Sequence, residues 1–185
     1  MTFKTLVGIV LGAMLANNYA LEKFLGAAPL LGWSTQEKKV TALGSSVTIA
    51  MFFTAILAAL VQEFVLDVHS LGYLQTLVYA AIVLIVVYAM ELVAKISGKS
   101  LGIYFPIIAL NSAVLGAAVN NAADGLSLGV SILTAWGAGM GFWLALAAFA
   151  AVRTKIRERY VPKAWRGLPI YLLTAAILSM ALLAF

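Results

Sequence analysis

The chain has 185 residues, 64% of them hydrophobic and 10% charged, with a net charge of +5 and no cysteine. Soluble domains carry about a quarter charged residues, so this chain lacks the polar side chains for a water-facing surface and reads as an integral membrane protein. The absent thiols exclude disulfide frameworks, thiolate-held zinc, and iron–sulfur clusters bound by the chain's own cysteines.

Apolar stretches run over about 4–31, 40–62, 71–94, 101–120, 127–152 and 167–185. Six segments of roughly 20 residues suit six crossings of a bilayer core ~30 Å thick. The first is too long for a plain span and carries Asn17, Asn18, Glu22 and Lys23 at mid-depth. Each charged group in hydrocarbon costs about 2.5–3.5 kcal/mol even on insertion scales, so these residues are expected to face other helices or a wet cavity. Gly26 and Pro29 are expected to break the helix, with Asn17 and Asn18 offering partners to the freed backbone groups. Lys4, the apolar run and the small residues near Ala20 also match a signal-peptide pattern, but the segment is read as a retained span.

The third stretch is the cleanest, with Ala80 to Val87 free of charge. Glu91 and Lys95 at its end, four residues apart, read as a helical ion pair. His69, the sole histidine, reads as a solvated loop residue rather than a ligand. The fourth stretch opens on Gly102-Ile103-Tyr104-Phe105-Pro106 and has Asn111-Ser112 near its middle, followed by Gly116, Asn120 and Asn121. The fifth and sixth are rich in Ala, Leu and Gly, which suits close helix packing in lipid.

Between them lie Arg153, Lys155, Arg157, Arg159, Lys163 and Arg166, opposed only by Glu158. These cations do not alternate with aromatic platforms as a nucleic-acid face would require, so they read as a cytoplasmic loop and no nucleic acid is expected. Lys38, Lys39, Lys95 and Lys99 fall on that same side, whereas the opposite side has Lys4 beside Glu63, Asp67, His69 and Asp124. The positive-inside bias then places both termini on the outer side.

Asn18-Tyr19-Ala20-Leu21 matches Asn111-Ser112-Ala113-Val114, and Leu25-Gly26-Ala27-Ala28 matches Leu115-Gly116-Ala117-Ala118. Three spans followed by three more have opposite topology. The expected architecture is all-α: one transmembrane domain over 1–185, built as a 3+3 inverted repeat (about 1–96 and 99–185). Helices 1 and 4 are interrupted near the midplane, a pattern of transporter-like folds. Two ordinary kinked helices held by asparagine hydrogen bonds are the alternative.

At these residues the sequence resembles the RnfA/NqrE family. The resemblance rests on Asn17-Asn18 through Lys23-Phe24-Leu25-Gly26 and Pro29, with Gly32, Ser34 and Lys38-Lys39 following. It continues in Leu101-Gly102-Ile103, Pro106, Asn111 and Ala113 to Gly116, and in Phe149-Ala150-Ala151, Arg153 and Arg166-Gly167. It implies a membrane subunit of an ion-translocating redox complex of the Rnf or Na+-translocating NADH:quinone oxidoreductase type, in a bacterial or archaeal inner membrane. It also implies a homologous partner of opposite topology, of the RnfE/NqrD type, and a 2Fe–2S cluster shared with that partner through one cysteine in each broken helix. In the family patterns those positions correspond here to Ala28 and Ser112, neither competent as a cluster ligand. This chain is therefore expected to hold no cofactor of its own. An engineered cysteine-free variant and a natural paralogue that lost the metal both fit.

Three readings of function follow. One is the redox-complex subunit, with Asn17, Asn18, Asn111 and Ser112 at the inter-repeat centre and Glu22 and Lys23 along an ion path, unless that pair merely neutralises itself or snorkels. Another is a cofactor-free inverted-repeat transporter or channel for an ion or small solute, working as a homodimer in one form. The third is a structural subunit whose polar centre only joins the repeats. No nucleophile–base pair or phosphate loop marks a self-contained active site.

Overall fold

In hydrocarbon every backbone polar group must be satisfied within the protein, and a helix does this inside one segment. The computed structural model describes residues 3–29, 37–98, 102 and 104–182, and all regular elements among them are helical. Of the residues singled out above, Gly32, Ser34, Lys99, Leu101 and Ile103 lie outside this set.

Helix α1 covers Phe3–Leu11 and widens into a π-helical segment, Gly12–Ala16. Helix α2 covers Glu37–Val61 and ends in a second π-helical segment, Gln62–Leu66. Helix α3, Gln75–Ile96, follows a short 3-10 turn at Gly72–Leu74. The fourth apolar stretch is split into α4, Tyr104–Ala109, and α5, Ser112–Ala123. Helix α6 covers Leu128–Lys155 and α7 covers Leu168–Leu182. Four helical stretches among the described residues are long and apolar enough to cross a membrane: Lys39–Leu66, Gly72–Ile96, Tyr104–Ala123 and Leu128–Lys155. Lys4–Ala16 and Leu168–Ala181 are apolar but shorter.

The first stretch is interrupted, but not where glycine and proline alone would put the break. The helix is already lost at Asn17, and helical structure resumes at 27–29, with Pro29 inside that resumed turn. Proline is tolerated there because first-turn N–H groups have no intrahelical acceptor to lose.

Helix α6 is the centre of the packing. Its 28 residues at 1.5 Å each span about 42 Å, more than the ~30 Å core, which carries its basic last turn beyond the apolar layer. Small residues let its neighbours approach closely. Gly137 lies against Val10 and Ala13 of the first segment, Gly141 against Met14, and Gly139 against Thr48 of α2. In return, Gly44 of α2 receives the Trp143 indole of α6. Between them Leu43, Val47, Met51, Phe142, Leu146 and Phe149 are fully buried. A second apolar cluster, with Leu66, Tyr79, Ile82 and Ala118, joins α2, α3 and α5.

Candidate functional site

The first interruption begins where the π segment closes, with Asn17 N–H donating to Gly12 O at 2.8 Å. Beyond it the backbone loses its helical partners, and Asn18 supplies replacements. Its Oδ1 accepts from Ala20 N at 3.0 Å and Leu21 N at 3.2 Å, and its Nδ2 donates to Met14 O at 3.0 Å and Gly141 O at 2.9 Å. Asn18 is fully buried, and its amide uses both donor hydrogens and both acceptor sites. The chain then passes through two left-handed residues, Phe24 (φ 52°) and Gly26 (φ 73°). Only glycine suits the second: a Cβ there would lie 2.6 Å from the Phe142 ring and 2.8 Å from Asn111 Oδ1.

The second interruption is shorter. Helix α4 ends at Ala109, and Asn111, extended at φ −76° and ψ 112°, caps α5 by accepting from Ala113 N at 2.9 Å. The two asparagines thus make the same bond, side-chain oxygen to the N–H two residues on. Asn111 is buried too, but its Nδ2 has no hydrogen-bond partner among the described residues.

These interruptions meet. Gly26 N–H donates to Ser112 Oγ at 2.9 Å, and a cavity of about 320 Å3 opens beside the contact. It is lined by Ala28 and Pro29 from one break and by Pro106, Leu110, Asn111 and Ser112 from the other. Distant helices complete the tethering of the first break. Asn120 Nδ2 donates to Tyr19 Oη at 3.4 Å, and Ser179 Oγ of α7 donates to Leu21 O.

Three of the seven residues singled out in the sequence therefore converge: Asn111, Ala28 and Ser112. Asn18 is buried instead against α6, through Gly141 O, and the other three do not join the cavity. Asn17, Glu22 and Lys23 are exposed on the surface of the chain, with Lys23 Nζ lying 4.7 Å from the Tyr19 ring centroid. Glu91 is buried and pairs with Lys95 at 3.3 Å, one turn along α3. His69 is exposed, its Nδ1 2.9 Å from Val65 O.

The residues at the convergence do not fit a 2Fe–2S cluster. Such a cluster needs thiolates. Alanine offers no donor atom at position 28, and Ser112 offers a neutral hydroxyl, which accepts from Gly26 N–H, in place of a thiolate.

A larger cavity, about 720 Å3, lies between the end of α2, α3, α5 and the start of α6, lined in part by Gln62, Glu63, Asp67, Tyr79, Asn121 and Ser131. Tyr79 Oη donates to Gln62 Oε1 at 2.7 Å and accepts from Gln75 Nε2 at 3.3 Å, while Gln62 Nε2 donates to Asp67 Oδ1 at 2.6 Å. Asn121 Nδ2 donates to Ser131 O at 3.0 Å. By sequence Glu63 and Asp67 read as outer-loop charges. The available signal was Gln75 and Tyr79 at helical i,i+4 spacing, two polar groups on one face of an apolar helix.

The chain matches the family described as "Rnf-Nqr subunit, membrane protein" over residues 6–185. It is 39% identical over 185 residues to the A-type subunit of the Na(+)-translocating ferredoxin:NAD(+) oxidoreductase complex of Acetobacterium woodii, covering 98% of this chain and 96% of that one. It is equally 39% identical over 186 residues to the A-type subunit of the ion-translocating oxidoreductase complex of Syntrophotalea carbinolica, with the same coverage. The corresponding protein of Vibrio vulnificus is 33% identical over 181 residues, 96% of this chain and 94% of the other. A match of this extent, over a fold with two interrupted helices at the motif positions, places the chain in the Rnf-Nqr family of membrane subunits.

Proposed function

We propose that this chain is the A-type membrane subunit of an ion-translocating redox complex, six-spanning, with its two halves inverted in the membrane and both termini outside. The homologous partner of opposite topology completes the central site. One observation carries this reading: the two breaks bond to each other, Gly26 N to Ser112 Oγ, beside the cavity that Ala28 and Ser112 share. The matching bonds of Asn18 to Ala20 and of Asn111 to Ala113 support a duplicated unit. In this chain the centre acts as a polar scaffold between the halves and relays no electron itself, because its side chains hold no cluster.

The test is the composition of the complex purified through a tag on this chain. Flavin-bearing and iron–sulfur subunits are expected to accompany it. A stable homodimer that comes out alone and moves a solute across liposomes would overturn the reading in favour of a cofactor-free transporter. The site assignment is checked with the double variant Ala28→Cys and Ser112→Cys, assembled with its partner. Bound iron with an iron–sulfur absorption and paramagnetic signal is expected; an iron-free assembled complex would refute the mapping.

A further inference from the structure

The whole net charge of the chain resides in one segment. Arg153 to Arg166 holds six basic residues and one acidic residue, a balance of +5, and the remaining six basic and six acidic residues cancel. This segment is not a loose tail. It turns through two 3-10 turns, Glu158–Tyr160 and Lys163–Trp165, before Gly167 (φ 80°) leads into α7. Arg166 fixes its shape: Nε donates to Val161 O at 2.9 Å and Nη2 to Arg159 O at 3.5 Å. Arg159 lies over the Tyr160 ring, 5.0 Å from its centroid, and donates to Tyr160 Oη at 2.9 Å.

Under this loop is an open groove of about 360 Å3, walled by Tyr160, Val161, Pro162 and Trp165 and floored by Ile170 and Leu173 of α7. Apart from the phenol of Tyr160 and the indole N–H of Trp165, its side chains are apolar. Tyr160 and Trp165 are 66% and 51% exposed. An apolar slot that begins at the end of an apolar helix, with tyrosine and tryptophan at its lip and Arg157, Arg159 and Lys163 exposed around it, has two chemical demands at once. The slot calls for a hydrocarbon chain, and the rim calls for a negative headgroup. Tyrosine and tryptophan gather at headgroup depth, and basic pockets beside membrane helices take acidic lipid headgroups.

We infer that the α6–α7 loop and the start of α7 form a binding site for one anionic phospholipid, its acyl chain in the Ile170–Leu173 groove and its phosphate on Arg159 and Lys163. Arg166 is a positioning residue, since its bonds to Val161 and Arg159 hold the wall of the groove. A soluble acidic protein would satisfy the rim but not the slot, and inorganic phosphate likewise. The site is independent of which side of the membrane the loop occupies.

The test uses the full chain purified in neutral detergent, with lipid retention read by native mass spectrometry against added phosphatidylglycerol or phosphatidylcholine. Preferential retention of phosphatidylglycerol is expected. The double variant Arg159→Gln and Lys163→Gln should weaken it by up to about 30-fold, on the basis of about fivefold per surface cation. Leu173→Trp, which fills the groove and leaves every charge in place, should abolish retention while the melting temperature stays near that of the parent chain. Equal retention of the two lipids, or retention unaffected by Leu173→Trp, would overturn the proposal in favour of diffuse surface attraction. Displacement of the lipid by inorganic phosphate alone would overturn the role of the acyl chain. Burial of the groove under another protein of the complex, read as loss of the lipid on assembly, would overturn it as well.

Discussion

Asn18 and Asn111 occupy corresponding places in the two interruptions but carry different loads. Asn18 satisfies four backbone groups, among them Gly141 O on a helix 123 residues away. Asn111 satisfies one and leaves its own Nδ2 unpartnered among the described residues. Each buried backbone group stranded by a mutation costs about 1–3 kcal/mol, although polar contacts inside membrane bundles average nearer 0.6 kcal/mol. Asn18→Ala is therefore expected to destabilise by about 3 kcal/mol, and Asn111→Ala by about 1 kcal/mol, the usual value of a helix cap. Denaturation in mixed detergent micelles measures both; equal losses would show that the bonds of Asn18 to Met14, Leu21 and Gly141 contribute nothing together. The need for these amides was legible in the sequence, because a carboxamide in an apolar run must find partners. The identity of the partners was not legible, since Gly141 lies 123 residues from Asn18 and nothing local marks it.

At the scale of elements, the departures from expectation have a common cause. The first break was expected from Gly26 and Pro29, the residues with the strongest local effect on a helix. The helix instead ends ten residues before the resumed turn, at Asn17, after a π segment that has already misaligned its hydrogen bonds. Side-chain competition for the backbone ends the helix, and glycine and proline then shape the return. The break at Asn111 was easier to place, because asparagine both stops α4 and caps α5 within two residues. Helix α6 shows a further contrast within one element. A Cβ on Gly141 would meet Met14 O at 2.5 Å, backbone that cannot swing aside, whereas one on Gly129 would meet nothing within 4 Å. Gly141→Ala is expected to cost about 1–3 kcal/mol through overpacking. Gly129→Ala should be neutral or stabilise by up to about 1 kcal/mol through helix propensity. Thermal unfolding of the two variants side by side checks this, and a harmless Gly141→Ala would mean that the first segment is not packed against α6 as described.

For the molecule as a whole, the pattern of apolar stretches located the long helices to within a few residues: 40–62 against Lys39–Leu66, and 127–152 against Leu128–Lys155. It could not show that α6 is their hub, because that depends on which glycines face which neighbours. The charge pattern makes a sharper statement, which the cysteine-free chain is well suited to test. A single cysteine placed at Asp124 is expected to react with a membrane-impermeant maleimide on intact cells, and one placed at Arg157 only after permeabilisation. The reverse pattern would invert the proposed orientation.

The tethering of the first break has a consequence for how the chain is made. Three of the bonds that tether residues 17–26 wait for partners made much later: Gly26 N–H for Ser112 Oγ, Asn18 Nδ2 for Gly141 O and Leu21 O for Ser179 Oγ. At about 5–20 residues per second, the interval between synthesis of Gly26 and of Ser179 is roughly 8–30 s. Throughout that interval Leu21 O lacks the Ser179 hydroxyl, a donor that lipid cannot replace. The tethering of the first break is thus complete only once α7 has been made.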